Sequence, residues 1–256
     1  MGGVDEVDEV DGVDGTGNDA GMYSVEQFRY GADNLGYVVH AGGEAMAIDG
    51  GAAGAILAFV GDRRLALRYV ANTHGHGDHT PGNAALLRAA AAAVPLDPAA
   101  LVARPAPIPL GGGRIEVIPT PGHSRDSVVF YTGAAALTGD TLFNYTIGNC
   151  FTGDLDAFLA SILRLLALPD ETLIYAGHDY VRDSLAFAAA LEPGRPEIAR
   201  CRERYDPARV VSTLADERRV NPYLRFDAPE IAALLAARGL PAATRRDRWR
   251  SLMSLG

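Results

Sequence analysis

Apolar positions along the chain follow two periods, and the switches between them predict the elements. Residues 25–30, 36–40 and 44–49 read as strands, the last running into the turn DGGAAG. A helix over 53–60 and a strand over 67–71 follow. The alanine-rich stretch 83–94 predicts a helix, and a proline-rich connection, 95–109, comes after it. GGGRIEVIPTPGHS predicts a turn and a strand ending at His123, and 127–131 and 135–138 predict two more strands. In 154–166 the apolar residues Leu155, Phe158, Leu159, Ile162, Leu165 and Leu166 form the stripe of an amphipathic helix. A strand over 172–176 and a helix over 181–191 complete this part. Beyond Glu192 the chain is helical and Arg-rich: Pro196 starts a helix reaching Tyr205, and Asp227 with Glu230 predicts an acidic capping box for a helix ending at Gly239.

Composition changes this picture at one end. The first 20 residues hold seven acids, no basic residue and a near-repeat of V-D-E/V-D-G. Such a segment has too little apolar surface to offset its ordering entropy, so residues 1–21 are expected to be a disordered acidic tail. The tail also accounts for most of the net charge. The whole chain carries 23 basic and 32 acidic residues, net −9, and without those seven acids the body is nearly neutral. No basic stripe points to nucleic acid. All the basic residues are Arg; there is no Lys. The two cysteines, Cys150 and Cys201, form no C-x-x-C, there is no signal peptide, and no apolar run reaches membrane-spanning length. A cytoplasmic protein with no membrane partner is expected, and its oligomeric state stays open.

The candidate chemistry lies in THGHGDHTPGN, residues 73–83, where His74, His76, Asp78 and His79 fall on a loop between a strand and a helix. If the chain is still extended at His74, the period of two points His74 and His76 to one side. Asp78 and His79, being adjacent, leave the backbone in different directions and suit a second metal. Downstream, TPGHS supplies His123, LTGDTLF supplies Asp140 and YAGHDY supplies His178, each after a strand-like run. Imidazole and carboxylate accept zinc, iron or manganese. His40, on the run 36–40, stands outside this pattern and reads as structural or solvated.

This series resembles the metallo-β-lactamase superfamily and, within it, glyoxalase II, the hydroxyacylglutathione hydrolases. The resemblance runs from about residue 23 to 224. It implies an α/β (α+β) fold, a four-layer αββα sandwich over 22–191 with its site along one edge, and a C-terminal helical substrate-binding region over 192–256. VVSTLADERRVNPYLR is similar to the S-T-L-x-x-E…N-P-F-L-R signature of that helical part.

The resemblance also implies roles. His74, His76 and His123 would hold one divalent metal ion and Asp78, His79 and His178 another, most simply zinc, with Asp140 bridging and Asp49 approaching from behind the ligands. From the residues alone, Asp49 reads equally well as a turn residue at a strand end. Water between two cations loses its proton near neutral pH and becomes the nucleophile. A small-molecule thioester such as S-lactoylglutathione suits the site, because its thiol leaves with a pKa of about 8.5. Tyr180, Arg245, Arg246 and Arg248 are candidate substrate contacts. Asn149 and Phe151 stand where glyoxalase II carries a basic residue and a Tyr, so one charge and one hydroxyl are missing. A persulfide dioxygenase-type iron oxidoreductase and a lactonase are the alternatives of the same fold.

Overall fold

The computed structural model describes residues 23–255. The acidic tail expected at 1–21 lies outside the described residues.

Strands β1 (Ser24–Tyr30), β2 (Asn34–Ala41) and β3 (Glu44–Ile48) form an antiparallel meander. Helix α1 (Ala53–Asp62) crosses over to β4 (Ala66–Ala71), parallel to β3. Helix α2 (Asn83–Ala89) then leads to β5 (Val94–Leu96), parallel to β4, which completes a five-stranded sheet in sequence order. Helix α3 (Pro98–Ala103) connects to the second sheet through β6 (Ile108–Leu110) and β7 (Gly113–Pro119), followed by β8 (Val128–Tyr131) and β9 (Ala135–Gly139). A short hairpin, β10 (Leu142–Phe143) with β11 (Thr146–Ile147), precedes helix α4 (Leu155–Leu165) and β12 (Leu173–Ala176). Helices α5 (Val181–Leu191) and α6 (Pro196–Arg204) lead to β13 (Ser212–Thr213), and α7 (Leu214–Val220), α8 (Pro229–Ala237) and α9 (Arg245–Met253) end the described chain. The second sheet is ordered β13-β12-β9-β8-β7-β6.

The period of two sorts the strands into layers. Leu35, Tyr37 and Val39 of β2 face Val128, Phe130, Leu137 and Tyr175 of the second sheet, while Val38 between them turns outward to Ile56 and Val60 of α1. In the same way Val129, Ala136 and Ile174 point away from the sheet interface, onto Phe158, Ile162, Ile231, Leu235 and Trp249 of the helices. Strands buried on both faces read as continuous apolar runs. The result is the expected αββα order, and α8 and α9 share the core of the second sheet rather than standing apart from it.

The helix expected over 83–94 ends at Ala89, and Val94–Leu96 pairs with β4 as an edge strand. Alanine favours helix, but Pro95 disfavours helical backbone at Val94 and supplies no N–H, which an edge strand tolerates. The proline-rich stretch that follows contains α3 and β6 rather than only loop. The capping box expected at Asp227 is also absent. Helix α8 starts at Pro229 with Ala228 as N-cap and no side-chain cap, because Asp227 accepts from Arg245 and Arg248. The box occurs instead at α9, between Thr244 and Asp247. His40 packs against Phe59 on the α1 side of the first sheet.

Candidate metal centre

Strand direction gathers the site. β7 and β9 both run antiparallel to β8, and β12 runs parallel to β9, so all three end at one edge of the second sheet. His123, Asp140 and His178 lie just past those ends. β3 and β4 are parallel, and their ends deliver Asp49 and the loop 72–82 to the same edge. The two sheets meet there, with Leu35 N–H bonded to the Gly177 carbonyl at 2.8 Å.

The loop is held from behind. Asp49 is 1% exposed and sits at φ +50°; its Oδ1 accepts from Thr73 N–H at 2.8 Å and its Oδ2 from the Thr73 hydroxyl at 2.7 Å. Asn72 donates to the His79 carbonyl at 2.6 Å, and Gly75 N–H donates to Asp126 at 2.9 Å, tying the loop to the turn after His123.

Two sets of donors converge on this edge. His74 Nε2 and His123 Nε2 lie 2.9 and 3.1 Å from His76 Nδ1. Asp78 Oδ2 lies 3.6 Å from His79 Nε2 and 3.3 Å from His178 Nε2. Asp140 stands between the sets: Oδ2 is 3.5 Å from both His123 Nε2 and His178 Nε2, and Oδ1 is 3.3 Å from His79 Nε2. All seven sequence-predicted ligands are thus brought together, each within a group of three able to share one ion. His74 and His76 do face one point, but β4 ends at Ala71 and the chain bends at 73–74, so the loop and not a strand's period of two brings them together.

The fit to cations rests on atoms left over. His79 Nε2 and Asp140 Oδ1 are buried without a hydrogen-bond partner although they face each other, and uncompensated buried polar atoms of this kind are rare. The far sides of two rings are hydrogen-bonded, His178 Nδ1 with Asp33 at 2.9 Å and His123 Nδ1 with the Asn149 carbonyl at 3.0 Å, while His79 Nδ1 lies 3.0 Å from Asp49 as an ion pair without hydrogen-bond geometry. A ring that donates on one side presents a lone pair on the other, which is how ligating histidines are oriented.

Electrostatics agree. Burial would lower the His79 pKa, but Asp49 and Asp140 outweigh it and raise the ring to about 11. Burial and the neighbouring His79 push His74 down to about 4. Burial would raise the Asp140 carboxyl, yet the His178 and His79 rings facing it hold it well below the carboxylate range. A dense negative and imidazole cluster that must share protons in this way is charge-matched by divalent cations.

Around this centre, Phe151 is 68% exposed and makes edge-to-face contacts with His123 and His76, ring centroids 5.1 and 5.9 Å apart. Tyr180 stacks on His178 at 5.1 Å. Asn149 is exposed and enters through its backbone carbonyl. The three arginines expected to clamp substrate have intramolecular partners. Arg245 and Arg248 each bond Asp227 at 2.6 Å, Arg248 also bonds the Phe226 and Ala242 carbonyls, and Arg246 is paired with Asp156. None of the three is bonded to a residue of the cluster. Their run of charge resembles a binding segment in sequence, but Asp156 and Asp227 lie far from it along the chain. Asp33 and Asn34, which contact His178 and Asp78, were not identified from the sequence as site residues; all that marks them there is their place just before the strand-like run 36–40.

Fold and donors together define a centre of the metallo-β-lactamase superfamily, whose profile matches residues 33–107 and 105–178; that of the hydroxyacylglutathione hydrolase C-terminus matches 179–251. A hydroxyacylglutathione hydrolase of Anaeromyxobacter dehalogenans is 42% identical over 233 residues, covering 84% of this chain and 90% of that one. One of Cupriavidus taiwanensis is 33% identical over 256 residues, covering 87% and 94%. The chain belongs to the hydroxyacylglutathione hydrolase family. Among solved structures, ETHE1 from Myxococcus xanthus shares the fold with a TM-score of 0.62 at 24% identity over 90% of each chain. The BLEG-1 B3 metallo-beta-lactamase shares it with 0.58 at 24% identity, over 78% of this chain and 99% of that one.

Proposed function

We propose that this chain hydrolyses a thioester of glutathione or a related thiol, such as S-lactoylglutathione, with two divalent cations, most simply zinc. His74, His76 and His123 would hold one, Asp78, His79 and His178 the other, and Asp140 would face both. The single observation that carries the reading is the position of Asp140 between the two donor sets, in a chain that also has the family's C-terminal part. Bound divalent cations supply Lewis acidity and lower the pKa of water toward neutrality. The chain's own groups hold the donors in place: Asp33, Asp49 and the Asn149 carbonyl fix the His178, His79 and His123 rings.

At the mouth, Tyr180 and Phe151 offer aromatic surface to the thiol moiety, and exposed Asn149 offers an amide where the family has a cation. Arg245, Arg246 and Arg248 would meet a substrate carboxylate only by giving up Asp227 or Asp156. With no helix among the described residues long and apolar enough to cross a membrane, a cytoplasmic location is part of the proposal.

The test is metal analysis of purified protein beside parallel assays with S-lactoylglutathione and glutathione persulfide. Thioester cleavage by protein holding about two cations is expected for a binuclear site. Oxygen consumption with the persulfide and no thioester cleavage would overturn the proposal.

A further inference from the structure

One buried acid is unused by this chemistry. Glu217, in the STLADE segment, is 0% exposed, yet among the described residues it forms no ion pair. Its carboxylate accepts four contacts from three groups. Tyr145 N–H reaches both oxygens, at 3.0 and 2.9 Å, the Ser212 hydroxyl reaches Oε1 at 2.6 Å and the Asn221 amide reaches Oε2 at 2.9 Å. Asn221 also donates to the Thr146 carbonyl at 3.1 Å, and Asn144 donates to the Ser212 hydroxyl at 2.7 Å and the Ile174 carbonyl at 3.1 Å. Every residue from Asn144 to Thr146 is therefore tied to the β13–α7 segment. Tyr145 has φ +72°, a conformation a bulky residue adopts only when its surroundings impose it.

That turn joins β10 to β11, and the hairpin lies between two parts of the metal centre. Asp140 is two residues before β10, and Asn149, whose carbonyl orients His123, is two residues after β11. The two flanks touch: a Cβ on Gly148 would overlap the Asp140 carbonyl oxygen and come 3.1 Å from His123 Nδ1. A shift of the hairpin thus moves the bridging carboxylate and the His123 support together.

We propose that Glu217 is a positioning residue of the metal centre, holding the β10–β11 hairpin so that Asp140 and the Asn149 carbonyl meet the donor cluster in register. This is a task for the family's C-terminal region distinct from contacting substrate. The inference rests on the metal-centre reading above, and its first readout, cation affinity, needs no substrate.

The experiment compares Glu217→Ala, Glu217→Gln and, as a control, Leu235→Ala, a cavity in the outer core of the second sheet. Zinc-loaded proteins are titrated with a chelating dye, and kcat and KM are measured with S-lactoylglutathione. Glu217→Ala is expected to weaken cation affinity by about tenfold or more, the usual effect of removing a group that supports ligands, and to lower kcat more than it raises KM. Glu217→Gln keeps an oxygen for Tyr145 N–H and places its NH₂ toward the Ser212 oxygen, so affinity recovers most of the way. Leu235→Ala lowers the melting temperature without changing affinity. If Glu217→Ala only melts earlier, with affinity and kcat unchanged, the clamp serves stability alone and the proposal is wrong. Should Glu217→Ala not fold, Ser212→Ala and Asn221→Ala each remove one contact and decide on the same criteria. A wild type that binds no cation would sink the metal-centre reading instead.

Discussion

His123 donates from Nδ1 to the backbone carbonyl of Asn149 at 3.0 Å. A carbonyl only accepts, so the pair sets the tautomer and leaves the Nε2 lone pair facing His76 and Asp140. The residue that looks in sequence like a lost substrate contact therefore orients a candidate metal ligand through its main chain, whatever its side chain.

The two donor sets predict two cations per chain. Asp78 is half exposed and belongs only to the second set, so Asp78→Ala should leave about one ion, held by the three histidines of the first. Atomic absorption on dialysed protein measures this. An active wild type with one tightly held ion would contradict it.

Gly177 has no room for a side chain. A Cβ there would overlap Asp140 Oδ1 and lie 2.8 Å from His79 Cε1. Gly177→Ala should cut cation content and activity together, while far-ultraviolet circular dichroism stays that of the wild type. Full metal content in the variant would show that the cluster has slack.

The missing family contacts predict weak binding of glutathione thioesters. A hydrogen bond to a charged group is worth about 1.5–3 kcal/mol, roughly ten- to a hundredfold in binding. Asn149→Lys with Phe151→Tyr should lower KM and leave kcat within a few fold. A wild type that saturates at low micromolar substrate, with no gain in the double variant, would place recognition elsewhere.

Arg246 is held by Asp156 on the surface of α9 and α4. Arg246→Ala should therefore leave KM for S-lactoylglutathione unchanged. A KM rise of about tenfold, the effect of losing a charged contact, would return this arginine to the substrate site.

Burial pushes Glu217 up to about 8, although hydrogen bonds from Ser212, Asn221 and Tyr145 oppose the rise. A carboxyl raised in the folded state loses stability as pH climbs from its unfolded value of about 4.5 to 8, by about 1.4 kcal/mol per pH unit. Glu217→Gln does not titrate, so urea titrations across that window should show it gaining on the wild type as pH rises. A constant difference would mean that the four contacts keep the carboxylate ionised throughout.

The convergence of the seven candidate ligands was legible because each stands in a short local motif beside a strand, and strand ends can be read from periodicity. Layer order was expected from the family resemblance, not from periodicity. What was not legible depends on pairs distant in sequence. Asp33 meets His178, Glu217 meets Tyr145, and Asp156 captures Arg246, and no local pattern marks any of them. The intramolecular partners of Arg245, Arg246 and Arg248 were not legible, because charge is visible in sequence and its neutralisation is not. The over-long helix after the metal loop shows the other limit: five successive alanines favour helix locally, while β4 offered a free edge that only the tertiary fold reveals.

Trp249 is the only tryptophan of the chain; it is fully buried in the outer core of the second sheet, and its indole N–H donates to the Leu155 carbonyl at 2.7 Å. It comes from the last helix described, α9, so during synthesis the helical layer on the outer face of the second sheet, begun by α4 and α8, stays open until that helix follows. Until then the sides of Phe158 and Phe226 that Trp249 covers are open, a surface for chaperones or for aggregation. The same indole is then a built-in optical reporter, whose emission should shift to the blue only when α9 docks and the layer closes.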